Sequence, residues 1–76
     1  TTAASTNTTI TDRLIELGNG TTGTPANDMG LVFERGSSDN VFIGWDESAD
    51  AIAIGTGSFT VASTGDLSFT RANLNV

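Results

Sequence analysis

The sequence predicts an all-β chain of short antiparallel strands. Three observations carry that expectation: apolar runs of four to seven residues, clusters of Gly, Asp, Asn and Ser between them, and no stretch at helical period long enough for a stable helix. The runs are Met29 to Arg35, Val41 to Trp45, Ala51 to Ile54, Ser58 to Val61 and Asp66 to Thr70. A half-buried strand needs side chains that alternate between two faces, and the turn residues mark where the backbone reverses.

Taken in order, residues 1–11 hold six threonines with Ala, Ser and Asn, and Ile10 is their one large apolar side chain. Such a segment cannot bury enough surface to fold alone, so it reads as an extended arm: a tail, a linker or a strand given to another copy. The module proper is expected over 12–76. From Asp12 to Leu17 the side chains of Leu14, Ile15 and Leu17 fit one helical face, but six residues closed by Gly18-Asn19-Gly20 are too few for a helix, which favours an isolated strand. Gly18 to Asp28, with the single proline Pro25, is a long turn region.

The centre is expected to be a meander. Gly36 to Asn40 and Asp46 to Asp50 are reversals between apolar runs. Leu31-Val32-Phe33 and Val41-Phe42-Ile43 are apolar on both sides, so each strand needs cover twice, once from its own chain and once from something else. In the last third, Ser58 to Val61, Asp66 to Thr70 and Ala72 to Val76 alternate apolar with small polar residues between Gly55, Gly57 and Gly65, a rhythm suited to winding, fibre-like β repeats. The run stops in mid-pattern at Val76 and starts at Thr1 rather than Met, which reads as a piece processed from something longer.

Size makes insufficiency the theme. A chain of 76 residues buries only about 60% of its unfolded surface, a thin margin over chain entropy. Small folds recruit disulfides, metals or partner subunits. With no Cys and no His, disulfides, ordinary zinc sites and imidazole catalysis drop out. Self-association remains, and the expected interface comprises Ile10, Leu14, Leu31, Phe33, Phe42, Trp45, Phe59, Leu67 and Phe69. Nine acids against three arginines give a net charge of -6, the wrong sign for nucleic acid or anionic lipid. No apolar run approaches the roughly 20 residues of a membrane span.

Motifs for chemistry are weak. Gly18-x-Gly20-x-x-Gly23 matches a dinucleotide fingerprint in letters, but no helix begins after it, so no cofactor is expected. Asp46, Glu47 and Asp50 supply carboxylates for a calcium loop without its central Gly and terminal Glu; as turn formers they are explained more cheaply. Glu34 and Asp46 form a glycosidase-type pair only if a hairpin brings them together. No nucleophile has an activating base, so no enzyme is expected.

The segments Glu34 to Asn40, Gly44 to Asp50, Gly55-Thr56-Gly57 and Ser63 to Leu67 resemble repeat segments of large structural proteins of marine tailed phages, in particular those infecting cyanobacteria. The resemblance spans roughly residues 9–76 and is most specific from Gly30 to Asp50. It implies a virion component of a tail fibre or other appendage, built from β-rich repeats, commonly trimeric, with no catalytic residues to transfer. The functional expectation is a noncatalytic structural subunit of a homo-oligomeric fibre, appendage or filament, in a virion or outside the cell. The alternative is a carbohydrate- or receptor-binding fibre tip that presents Trp45 with Asp46, Glu47 and Asp50 to a host-surface glycan, with or without calcium.

Overall fold

The computed structural model of the chain describes residues 7–75; the first six residues of the expected Thr-rich arm lie outside the described residues. Four strands, β1 (Met29–Phe33), β2 (Asn40–Asp46), β3 (Ala51–Gly57) and β4 (Thr70–Arg71), form one antiparallel sheet in the order β1-β2-β3-β4. The predicted meander is present, and no helix occurs among the described residues.

Register separates two unlike faces. Pairing of Val32 with Phe42, Gly30 with Gly44, Gly44 with Ala53 and Phe42 with Gly55 puts one large ring among glycines and alanine. On the other face Leu31, Ile43 and Ile54 line up across three strands, flanked by Phe33 and Val41 at one end and by Trp45 and Ile52 at the other. Alternation here is therefore small against large rather than polar against apolar, because the small-residue face receives its bulk from elsewhere in the chain.

That bulk comes from residues 58–69. Phe59 meets Phe42 edge to face at 6.0 Å, and Phe69 lies tilted against Phe42 at 5.7 Å, both within the favourable range for ring pairs. Phe42, Ala53 and Phe59 form the buried core, with Phe42 only 2% exposed. The buried Asn40 amide donates to the Phe59 carbonyl at 2.9 Å and holds the returning chain on the sheet.

Three sequence expectations are corrected. Residues 12–17 form no strand, because no edge among the described residues pairs with them. Neither do Ser58 to Val61: Thr60 and Ser63 close a turn there through Ser63 N to Thr60 O at 3.0 Å and Thr60 N to Ser63 Oγ at 2.9 Å. Of the expected terminal repeats only Thr70 and Arg71 pair in the sheet, since Phe59 and Phe69 turn inward as plugs instead of lining successive rungs.

Candidate assembly surface

The bare face of the sheet is built by β1, β2 and β3 from large apolar side chains on successive alternate positions. Leu31, Phe33, Trp45 and Ile52 are 56%, 46%, 38% and 69% exposed, and Val41, Ile43 and Ile54 between them are half-buried. By register and alternation, none of the residues of β1, β2 and β3 that point from it is an acid or an arginine. The indole Nε1 of Trp45 donates to Glu47 Oε2 at 2.9 Å, so the one polar atom of the ring is satisfied at the rim.

Areas decide whether this is an ordinary surface. At those exposures the face presents roughly 500 Å² of surface, within the range of the largest patch on a typical monomer. Shared between two copies it reaches about 1,000 Å², the size a biological interface has to clear. The whole chain exposes 6269 Å², where scaling from its mass gives about 4,400 Å² for a compact monomer. Its radius of gyration is 13.6 Å against roughly 11.4 Å for a compact chain of this length.

The expected interface residues divide by location. Leu31, Phe33 and Trp45 lie on the bare face; Ile10 and Leu14 are exposed on the segment before the sheet. Phe42 and Phe59 are buried in the protomer's own core, and Phe69 and Leu67 are half-buried beside it, because glycines opposite leave room for their bulk. Val41, Ile43, Ile52 and Ile54 complete the face beyond the expected residues; for the β3 pair the small-large alternation Ala51-Ile52-Ala53-Ile54 is the sequence signal.

The acidic residues serve the opposite face. Asp28 accepts Glu47 N at 2.8 Å through Oδ1 and Leu67 N at 3.0 Å through Oδ2, while its own amide donates to Gly65 O at 2.9 Å. Asn27 Oδ1 accepts Gly65 N at 2.7 Å. Together these bonds clasp the loop before β4 over the core. Asp46, buried, accepts Ser48 Oγ at 2.9 Å and pairs with Arg71 Nη2 at 3.1 Å.

Asp46, Glu47 and Asp50 are not gathered into a cage. Glu47 is turned to Trp45, and Asp50 occupies the turn with φ of 53°, a left-handed conformation that Asp tolerates. The carboxylates that do converge are Asp28, Asp46 and Asp66, with oxygens within 4.8 Å of one another; the first two already bond protein donors. Glu34 and Asp46 lie at opposite ends of the β1–β2 hairpin, since Phe33 pairs with Val41 and Met29 with Trp45; that is roughly 20 Å apart at 3.3 Å per residue, and no carboxylate pair forms.

The clasp has a measurable consequence. Asp28→Ala removes the acceptor for two backbone amides and is expected to lower stability by about 1–3 kcal/mol, read from the urea midpoint. Arg71→Ala leaves the buried Asp46 carboxylate with the Ser48 hydroxyl as its remaining side-chain donor among the described residues and is expected to cost about 1–3 kcal/mol, although the arginine side chain itself is 57% exposed.

No protein-family model, curated protein or solved structure matches the chain. The fold and its surface define an all-β meander module with one covered and one bare apolar face. Among the described residues no helix is long and apolar enough to cross a membrane.

Proposed function

We propose that this chain is a noncatalytic structural subunit that completes its fold by packing its bare sheet face against other copies of itself. The uncharged apolar face of a chain with net charge -6 carries the reading. A charged partner gains nothing there, because each ion it brought would be desolvated without a counter-charge. A second copy brings the same self-complementary apolar patch and keeps its acids at the rim, in water. The setting in a fibre, virion appendage or extracellular filament rests on the sequence resemblance to phage structural repeats.

The test is the assembly state. Sedimentation velocity is expected to find the parent chain as an oligomer at micromolar concentration. Ile52→Glu and Leu31→Glu place a charge at the centre of the joint and are expected to lose the face-to-face association, with β-sheet circular dichroism retained. A parent chain that stays monomeric and soluble up to millimolar concentration sinks the proposal.

A further inference from the structure

The segment before β1 leaves a second pair of unsatisfied surfaces. Residues 8–17 form no strand, and Leu14 and Ile15 are 87% and 68% exposed. Arg13 makes no ion pair among the described residues, where Arg71 takes Asp46. The turn that follows is pinned by Thr21, whose N and Oγ1 both donate to Gly18 O at 3.0 and 2.6 Å, so the segment leaves the body at Leu17.

Beside β1 lies a groove of about 430 Å³, walled by Met29, Val32, Phe42, Val61 and Leu67 and, at the base of the copy's own arm, by Leu17 and Gly18. β1 is the outer strand of the sheet, and among the described residues no chain pairs with its free side. Asp28 lines it as well, and its carboxylate converges with those of Asp46 and Asp66, where Arg71 pairs with Asp46. An edge strand with exposed donors and acceptors is a template for an added strand.

Resting on the structural-subunit reading, we propose that residues 8–17 of one copy add as a strand along β1 of a second copy. Alternation then sends Arg13 and Ile15 to the groove side, where Asp28 and Asp66 supply the charge that Arg13 lacks in its own copy. Ile10 and Leu14 go to the other side and extend the bare face beside Leu31 and Phe33. Asp12 and Glu16 alternate with them on that same side, so the added outermost strand carries charge along the margin of the face, which discourages a further strand from joining it. This joint is heterologous, arm to edge, so it propagates into chains where a face-to-face joint alone closes.

Sedimentation velocity and amide exchange on the full chain test it. Arg13→Asp and Leu14→Asp are each expected to raise the concentration at which chains extend by about tenfold, and Arg13→Asp combined with Asp66→Arg to recover most of that loss. Amides of Met29 to Phe33 are expected to gain protection as parent concentration rises and to lose it in Leu14→Asp. Both arm variants keep the face-joined oligomer, whereas Ile52→Glu loses that joint and keeps arm-linked chains, so failure of either joint is seen separately. Parent-like extension by both arm variants overturns the arm joint, as does β1 protection independent of concentration, which signals docking within one copy or to nothing.

Discussion

Phe42→Ala is expected to remove about half or more of the isolated protomer's stability. A fully buried Phe replaced by Ala costs about 3–5 kcal/mol in lost transfer energy and residual cavity. A chain of 76 residues has roughly 4–11 kcal/mol in total. The loss is large here because one ring carries the core: Phe42 touches Phe59 and Phe69, at 6.0 and 5.7 Å, and these are the plugs that the returning chain supplies. The glycines around it have no side chains to move into the hole. Phe33→Ala, on the bare face, removes the same atoms from a site already 46% exposed. In a monomeric background such as Ile52→Glu combined with Leu14→Asp it is expected to shift the urea midpoint by less than a third as much as Phe42→Ala. Equal shifts would show that the two faces are not differently covered.

That asymmetry explains what was legible in the sequence. β1, β2, β3 and their two reversals follow from apolar runs and turn residues; β1 and β2 lie within two residues of the expected limits, while β3 runs three residues past Ile54, to Gly57. That both faces of the sheet are apolar was also legible, because Leu31-Val32-Phe33 is apolar on both sides. Which face the chain covers itself was not. The decisive residues, Gly30, Gly44, Gly55 and Gly57, look like turn or breaker residues in one dimension. In the sheet they form a floor on which Phe42, Phe59 and Phe69 lie. Once those rings are spent on the floor, residues 58–69 cannot also be regular strands, so the alternation there belongs to a loop with inward plugs. The acidic clasp was hidden for another reason: Asp28 meets Glu47 and Leu67 across 19 and 39 residues of sequence, and no local pattern records such pairings.

Gly44→Ala tests the floor directly, and its sign runs against intuition. In an ordinary strand, Gly to Ala stabilises, since glycine loses the most chain entropy on folding and leaves no side chain to pack. Gly44 has no positive φ among the described backbone, so conformation alone gives no reason for it. Space does. A Cβ there would collide with the Met29 carbonyl oxygen and stand 2.6 Å from Gly30 Cα and 2.8 Å from the Phe42 ring. Two of these neighbours are backbone and cannot swing aside, so β1 has to move off β2 or the Phe42 ring has to leave its seat. The expected cost is about 2–4 kcal/mol, enough to lose most of the fold at 37 °C. Gly20→Ala separates this from a purely conformational effect: Gly20 has φ of 88° and nothing within 4 Å of an added Cβ, so only the left-handed penalty of about 1–2 kcal/mol applies. The measurement is a urea titration of both variants in the same monomeric background. A Gly44→Ala protein as stable as its parent would mean that β1 and β2 do not approach as closely as described, and the aromatic floor would go with that conclusion.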